Sequence, residues 1–181
     1  MAAIGVFCAS SRTIDDGYLD LAYAVGAELA RRGHTLVSGG GCVSMMGAVA
    51  DGARSGGAHT FGVMPEKLVT LEIADSAADE LVVTSDMAER KTIMMAKSDA
   101  FLTLPGGIGT LDELFEVWTT AALRLHAKPC VVLDHDGFYA GLFEWLRGRV
   151  TQGFVRADAL DLLRTAGSVP GALDAIETAL G

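Results

Sequence analysis

The stretch Leu104–Glu113 has the residue types and spacing that best suit ligand chemistry in this 181-residue chain. It follows a short apolar run and precedes a long amphipathic segment, so the order strand, turn, helix is expected. Gly106, Gly107 and Gly109 place three glycines within four positions. Glycines allow backbone angles that other residues avoid, and they let a ligand approach the main chain without meeting a Cβ atom. The stretch therefore predicts a loop that holds a ligand against the backbone.

A T-x-x-E pattern closes this stretch. Thr110 and Glu113 have the spacing of a capping box, which predicts that a helix begins at Thr110. The free N–H groups of that first turn then point back at the loop, and the positive end of the helix dipole favours an anion there. We expect a phosphate site. The pattern leaves open whether Glu113 is only a cap or also a catalytic carboxylate.

A second cluster, Met87–Lys91, places the adjacent cations Arg90 and Lys91 near the start of a helix. The helix dipole disfavours cations there, so another contact must compensate. One interpretation is a solvated face on which Asp86 pairs with Arg90 at i, i+4. In the other, Arg90 and Lys91 supply the positive charge that an acidic protein needs to bind a phosphorylated substrate.

Three common ligand motifs are not supported. The G-x-G-x-x-G match that starts at Gly107 fails at Asp112, and the turn after Cys8 contains no glycine, which argues against a dinucleotide site. None of the four lysines follows a glycine, which excludes a Walker A loop. The same lysines offer no clear Schiff-base site for pyridoxal phosphate.

The elements that position these residues alternate between apolar strands and amphipathic helices. The predicted strands are Ile4–Cys8, Thr35–Ser38, His59–Met64, Leu81–Thr84, Ala100–Leu104 and Pro129–Leu133, with an ambiguous strand at Leu160–Thr165. The predicted helices are Tyr18–Arg32, Met45–Arg54, Met87–Lys97, Tyr139–Gln152 and Pro170–Leu180. A further helix follows the glycine loop, and its predicted buried face comprises Leu111, Leu114, Phe115, Trp118, Ala121, Ala122 and Leu125.

This alternation predicts an α/β, Rossmann-like, doubly wound and mostly parallel sheet with helices on both faces. Ligands bind at the carboxyl ends of the strands in such sheets. The loops expected at that edge are Ser10–Arg12, Gly39–Gly41, Ser85–Asp86 and Pro105–Thr110. We expect residues 1–181 to form a single domain.

The net charge of -9 argues against binding to nucleic acid or to an anionic membrane. The N-terminal apolar run lacks a preceding Lys or Arg, and no apolar stretch reaches the roughly 18 residues of a membrane helix. We therefore expect a cytoplasmic protein, in which an anionic small ligand would need local cations.

The cysteine and histidine positions do not indicate a metal site or a disulfide framework. Cys8 and Cys130 lie in apolar runs and are interpreted as buried hydrophobic residues, and Cys42 follows the glycine run. The four histidines lack metal-ligand spacing and are interpreted as turn or surface residues. No metal is predicted.

Taken together, the motifs resemble those of the LONELY GUY (LOG) family of cytokinin-activating phosphoribohydrolases, whose members are often mislabelled lysine decarboxylases. Pro105–Glu113 matches P-G-G-x-G-T-x-x-E, and Met87–Lys91 matches M-x-x-R-K. Gly39–Gly41 with Met46-Gly47 is similar to the G-G-G-x-x-G-L-M-G loop, from which residues 43–45 depart. The resemblance spans nearly the whole chain.

The resemblance implies hydrolysis of the N-glycosidic bond of AMP or of an N6-substituted AMP, which releases the base and ribose 5-phosphate. It implies Glu113 and Arg90 as catalytic residues, with Glu113 stabilising positive charge on the sugar and orienting water. The implied substrate-binding residues are Glu72, Arg90, Lys91, Gly107, Ile108, Gly109, Thr110, Leu111, Asp112 and Glu113. The family needs no cofactor or metal and commonly forms homodimers.

Two other functions remain open at the level of sequence. Molybdenum-cofactor carrier proteins resemble this fold and glycine loop but hold their ligand without hydrolysing it. A nicotinamide-dependent oxidoreductase rests on fold analogy alone. The pairing of an arginine with a glutamate favours the hydrolase.

Overall fold

The computed structural model describes residues 1–69 and 73–181 and has one parallel β-sheet at its centre. Within these residues the sheet has seven strands in the order β4-β3-β2-β1-β5-β6-β7, and every neighbouring pair is parallel. The strands are β1 Ala3–Phe7, β2 Thr35–Ser38, β3 Thr60–Pro65, β4 Glu80–Thr84, β5 Ala100–Thr103, β6 Cys130–Leu133 and β7 Leu163–Ala166. The predicted Rossmann-like sheet is confirmed.

Helices cover both faces of the sheet. They are α1 Asp16–Arg31, α2 Ser44–Ser55, α3 Met87–Lys97, α4 Ile108–Ala122, α5 Ala140–Thr151, α6 Ala157–Leu160 and α7 Val169–Leu180. One apolar core joins the sheet to α1, α2 and α7, and the other joins it to α3, α4 and α5. Along β1 the side chains alternate between these cores, because Ile4 and Val6 face the first and Phe7 faces the second.

Helices α1 and α2 pack at backbone distance through two glycines. A Cβ atom on Gly26 would lie 2.0 Å from the carbonyl oxygen of Val49, and one on Gly52 would lie 2.1 Å from that of Tyr23. Real Cβ atoms do not approach so closely, so neither position accepts a larger side chain. The close pairing fixes the loops before α1 and α2 relative to each other at the carboxyl edge of the sheet.

Ion pairs and hydrogen bonds attach the C-terminal helix to the end of α1 and to His34. Arg32 Nη1 lies 2.7 Å from Asp174 and 2.8 Å from Glu177. His34 Nε2 lies 3.0 Å from Glu177, while its Nδ1 lies 3.3 Å from the amide of Ala2. His34 lies in the connection between α1 and β2, as expected of a turn residue, but it is only 6% exposed and is not a surface residue.

Other element predictions hold with two corrections at α4. The helix begins at Ile108 with Gly107 as N-cap, and no side chain caps it, so the predicted capping box was wrong. The helix ends at Ala122, which leaves Leu125 beyond it and 71% exposed rather than on the buried face. The ambiguous segment Leu160–Thr165 proves to contain the start of β7.

The remaining core and surface positions agree with their sequence patterns. Cys8 and Cys130 are buried, as predicted, and burial raises the pKa of the Cys130 thiol to about 12. Cys42 is exposed. Among residues 1–69 and 73–181, no helix has the length and hydropathy needed to cross a bilayer.

Candidate active site

A cavity of about 250 Å³ lies at the carboxyl ends of β1, β2 and β5. This is the edge where a parallel sheet binds ligands, and β1 and β5 are central strands whose following loops diverge. Ser10 and Ser11 border the cavity after β1, and Gly39 borders it after β2. The glycine loop after β5 borders it with residues 107–110. Three of the four loops expected at this edge therefore meet at one cavity.

The fourth expected loop, Ser85–Asp86, does not border the cavity but starts the helix that does. Asp86 is the N-cap of α3, and its carboxylate accepts a hydrogen bond of 2.9 Å from the amide of Glu89. Glu89 reaches back to the amide of Ser85 at 2.8 Å. The reciprocal bonds fix the first turn of α3, which brings Met87 and Arg90 to the cavity wall.

The first turn of α4 forms the cradle predicted for an anion. Leu111 makes the first intrahelical backbone bond, to the oxygen of Gly107 at 3.0 Å, so the amides of Ile108, Gly109 and Thr110 precede the helical ladder. Gly109 borders the cavity, and a Cβ atom there would meet open space. An anion in the cavity can therefore contact these amides directly.

Two contacts hold the glycine loop in place behind the cavity. A Cβ atom on Gly106 would lie 2.1 Å from the hydroxyl oxygen of Thr110, so only glycine leaves room for this buried threonine. The hydroxyl of Tyr139 donates a hydrogen bond of 2.8 Å to the carbonyl oxygen of Leu104. Burial raises the pKa of Tyr139, which keeps the phenol a donor at neutral pH.

Arg90 is buried and faces the cavity, so its interpretation as part of a solvated helix face was wrong. Its Nε donates to the carbonyl oxygen of Val63 at 3.2 Å, and its Nη2 lies 3.6 Å from Oε1 of Glu113. A Cβ atom on Gly39 would lie 1.9 Å from that Nη2. The guanidinium therefore occupies space that Gly39 leaves free.

Glu113 lies on the second turn of α4, and its side chain is only 10% exposed. The N-cap of α4 is Gly107, and Glu113 does not cap the helix. The capping function that the T-x-x-E pattern predicted is thus absent. Glu113 borders the same cavity as the glycine-loop residues 107–110 and lies beside Arg90. The site therefore combines an anion cradle, a buried cation and a carboxylate.

Lys91 has a different environment from its neighbour Arg90. Its Nζ lies 2.5 Å from Glu116 and 2.9 Å from Asp112, and these hydrogen bonds raise the pKa of Lys91. Lys91, Leu111 and Asp112 do not border the 250 Å³ cavity. Glu72 lies outside the described residues. The structure thus brings together Arg90, Gly107, Ile108, Gly109, Thr110 and Glu113 of the predicted site.

The loop after β2 departs from the family pattern at a strained position. Ser44 stands where the pattern has glycine, and its φ of 54° lies in the left-handed region that glycine favours. The hydroxyl of Ser44 donates a hydrogen bond of 2.6 Å to the carbonyl oxygen of Ser11. This bond links the loop to the one after β1, and it offsets part of the backbone cost.

Six further side chains border the cavity that the sequence did not single out as ligand contacts: Val6, Cys8, Ala9, Met46, Leu68 and Met87. Met46 lies in the Gly39–Gly47 motif and Met87 in the Met87–Lys91 motif, so membership of a motif could have identified both as ligand contacts. Leu68 lies in a short 3-10 turn, Glu66–Leu68, within a segment that has no periodicity. Its position depends on the fold around it and carried no signal.

Comparisons with known proteins show the family to which the chain belongs. Residues 46–176 match the family model described as "Possible lysine decarboxylase". The chain is 51% identical over 172 residues to the cytokinin riboside 5′-monophosphate phosphoribohydrolase of Mycobacterium tuberculosis. The alignment covers 95% of this chain and 91% of that protein. Identity to LOG4 of Arabidopsis thaliana, which has the same enzyme name, is 40% over 163 residues, covering 90% and 76% respectively.

A solved structure shows the same fold at lower identity. The molybdenum cofactor binding protein of Rippkaea orientalis superimposes with a TM-score of 0.76 over 99% of this chain and 98% of that protein, at 24% identity. Identity at that level supports the fold alone. On the family match and the two close relatives, this chain belongs to the LONELY GUY (LOG) family, whose curated members are cytokinin riboside 5′-monophosphate phosphoribohydrolases.

Proposed function

We propose that this protein hydrolyses the N-glycosidic bond of AMP or of an N6-substituted AMP, and releases the free base and ribose 5-phosphate. The observation that carries the proposal is the buried Arg90–Glu113 pair, 3.6 Å apart, beside the free amides of the glycine loop. A nucleoside monophosphate has the matching features, an anionic phosphate at one end and the scissile bond a sugar ring away. The enzyme names of the close relatives support the same reaction.

The phosphate rests on the first turn of α4 in this proposal. The amides of Gly107, Gly109 and Thr110 donate to the phosphate oxygens, and the helix dipole adds a favourable field. An acidic protein of net charge -9 needs such local donors to hold an anion. Binding energy at the phosphate then orients the sugar toward Glu113.

Cleavage develops positive charge on the sugar as the bond to the base breaks. The carboxylate of Glu113 stabilises this oxocarbenium-like charge, and it orients or deprotonates the attacking water. Arg90 positions the substrate and neutralises negative charge during cleavage. Hydrolysis is complete when the water oxygen bonds to the anomeric carbon and the base leaves with a proton. These steps use only side chains of this chain, water and the substrate.

The test is to incubate the purified protein with AMP and, separately, with N6-isopentenyl AMP, and to quantify base and ribose 5-phosphate by chromatography. We expect equimolar base and ribose 5-phosphate from at least one nucleotide. Binding of both nucleotides with no cleavage of either would overturn the proposal and favour the carrier function. A change in NAD(P)H absorbance with the same substrates would instead favour the oxidoreductase.

We also propose a single catalytic domain, a cytoplasmic location and a homodimer.

The dimer interface would not use the buried face of α4. Leu114, Val117 and Trp118 of α4 are buried in the core, so this face packs within the chain. Ile108 at one end of α4 is 89% exposed, and Leu123, just beyond the other end, is 65% exposed. Such exposed apolar side chains are available to a second copy. Sedimentation equilibrium tests the dimer, and a monomer at micromolar concentration would contradict it.

A further inference from the structure

A second and larger cavity, of about 480 Å³, lies at the opposite edge of the sheet from the candidate active site. Pro129 and Leu162 border it, and they directly precede β6 and β7. Because the strands are parallel, the amino ends of β6 and β7 lie at the edge away from the catalytic loops. The two cavities share no lining residue in the described part of the chain.

This cavity is positively lined in a protein of net charge -9. Arg124, Lys128 and Arg164 border it, and Asp161 is the one carboxylate among the described lining residues. Nζ of Lys128 donates to the carbonyl oxygen of Met95 at 2.6 Å, so its position is fixed by a neutral acceptor. The ammonium keeps two further N–H donors, and its charge is not neutralised by that contact.

The guanidinium of Arg164 has a similar arrangement. Its Nη1 donates to the carbonyl oxygen of Ala175 at 3.2 Å, again a neutral acceptor. The remaining four N–H donors of the guanidinium fork are suited to bidentate binding of a phosphate. Lys128 and Arg164 are therefore held in place by backbone oxygens while most of their donors stay available.

Arg124 occupies a position that its backbone would favour for glycine. It lies just beyond α4 and has a φ of 61°. The amide of Arg124 donates to the carbonyl oxygen of Ala121 at 2.9 Å, and the amide of Leu125 donates to the carbonyl oxygen of Thr120 at 2.9 Å. These two bonds form a Schellman motif, in which glycine normally takes the left-handed position. An arginine here costs backbone energy and places a third cation at the cavity.

The neutral part of the lining is compatible with the organic portion of a ligand. Ala121, Ala127, Pro129 and Leu162 supply apolar surface between the cations. His126 adds no charge, because burial lowers its pKa, and its Nδ1 accepts the amide N–H of Lys128 at 3.1 Å. A volume of about 480 Å³ lies within the range of small-ligand sites, roughly 300–1,000 Å³.

We propose that this cavity is a second binding site for a phosphate monoester, separate from the catalytic cavity. Arg124, Lys128 and Arg164 bind the phosphate, and the apolar residues between them contact the organic part. Sugar phosphates and nucleoside monophosphates share this chemistry, so the probes below distinguish them. The proposal does not depend on the hydrolytic activity.

The test is a titration of ¹⁵N-labelled protein, followed residue by residue by NMR, with ribose 5-phosphate, AMP and inorganic phosphate in separate arms. Amides of residues 124–128 and 161–164 report the proposed site, and those of residues 107–110 report the catalytic cavity. We expect saturable shifts at the first set, with a dissociation constant of its own. The tightest of the three probes identifies the organic part.

Two variants and one control make the result decisive. Arg124→Gly installs the residue that the backbone favours, so the fold is kept, and Arg164→Gln retains a polar side chain. Each variant is expected to weaken binding at residues 124–128 about tenfold or more, without changing the shifts at 107–110. Arg147→Gln removes an equal charge from α5, outside this cavity, and is expected to bind normally.

The proposal is overturned if only residues 107–110 shift, or if the two variants bind as the wild type does. It is also overturned if sodium sulfate at equal ionic strength produces the same shifts, because the site would then hold an adventitious ion only.

Discussion

Nη2 of Arg90 lies 3.6 Å from Oε1 of Glu113, although 22 residues separate the two in sequence. Arg90 belongs to α3 and Glu113 to α4, the helices before and after β5. Lys91 reinforces the arrangement by joining α3 to Asp112 and Glu116 of α4. The charged pair of the site thus depends on the packing of two helices. The predictions below test that pair, the loops that support it and the charges that stabilise the fold.

Replacing Glu113 with glutamine should abolish most turnover and preserve the fold. The amide keeps the shape of the side chain, but it has no charge to stabilise the sugar cation. We expect kcat to fall about 100-fold or more, while AMP binding measured by calorimetry changes little. Glu144→Gln, at an exposed position of α5 away from the cavity, is the control. Near-normal turnover by Glu113→Gln would leave this carboxylate without a catalytic function.

Replacing Gly39 with alanine should displace Arg90. The new Cβ atom would lie 1.9 Å from Nη2, so the guanidinium must move away from Glu113. We expect a loss of about 1–3 kcal/mol in the free energy of unfolding, and a fall in kcat/KM of at least about tenfold. Urea denaturation and the hydrolysis assay measure the two effects.

The matched control for this variant is Gly148→Ala in α5. A Cβ atom there meets open space, and alanine is the better helix former. We expect this variant to be more stable by about 0.5–1 kcal/mol and fully active. If Gly39→Ala also kept its activity, the contact between Gly39 and Arg90 would not matter for catalysis.

Substitutions at two glycines of the loop should have different effects, because Gly106 maintains the fold and Gly109 contacts the ligand. Gly106→Ala would force its Cβ atom against Thr110, so we expect a loss of about 1–3 kcal/mol in stability. At Gly109 the Cβ atom enters open space at the cavity, so we expect stability within about 0.5 kcal/mol of the wild type.

The distinguishing measurement for Gly109→Ala is its KM for AMP. The methyl group keeps the phosphate away from the amides of the first turn, so we expect KM to rise about tenfold. An unchanged KM would argue against phosphate binding on this turn.

The left-handed backbone of Ser44 gives a test that compares two substitutions. Ser44→Ala loses the hydrogen bond to Ser11 and keeps the strained φ, whereas Ser44→Gly loses the same bond and relieves the strain. We expect the glycine variant to be more stable than the alanine variant by about 1 kcal/mol. Thermal unfolding of the two proteins measures the difference, and equal melting temperatures would contradict the assigned backbone angle.

The cluster around Glu28 should make stability depend on pH under acidic conditions. Hydrogen bonds from Arg31 and Arg32 lower the pKa of Glu28 to about 2, from 4.5 in the unfolded chain. Between these values the unfolded state binds more protons, so this contribution is present above pH 4.5 and is lost as the pH falls toward 2. Equilibrium unfolding across that window measures it.

The comparison variant is Glu28→Gln, which cannot titrate at this position. We expect the wild type to be the more stable protein at pH 7, and the difference between the two to shrink as the pH falls below 4.5. A constant difference from pH 7 to pH 3 would show that the charge on Glu28 does not stabilise the fold.

Much of the fold could be predicted because local patterns and tertiary packing agree. Alternating apolar strands and amphipathic helices predicted the parallel sheet, and the helix predicted at Met87–Lys97 has the bounds of α3. The start of α4 could not be predicted from its T-x-x-E pattern. Gly107 takes an extended conformation, with φ of -93° and ψ of -151°, which allows the helix to begin at Ile108. The loop geometry, rather than the capping box, decides this boundary.

The site was harder to predict because its members depend on contacts distant in sequence. Spacing alone left Arg90 open between a solvated face and a cation that binds a phosphorylated substrate. Its position in the structure depends on contacts with Gly39 and Glu113. Lys91 has the same local pattern but turns toward α4. Adjacent positions on a helix point in directions about 100° apart, and only tertiary packing decides which one meets the cavity.

The pairing of β1 with β5 has a consequence for how the molecule acquires activity. Ile4 pairs with Ala100, so the central strands join parts of the chain that are 96 residues apart. Closing so long a loop is slow relative to local helix formation. The cavity needs the loops after both strands, so hydrolysis would appear only after this long-range pairing. The rate at which enzymatic activity returns during refolding therefore reports how fast this long-range pairing forms.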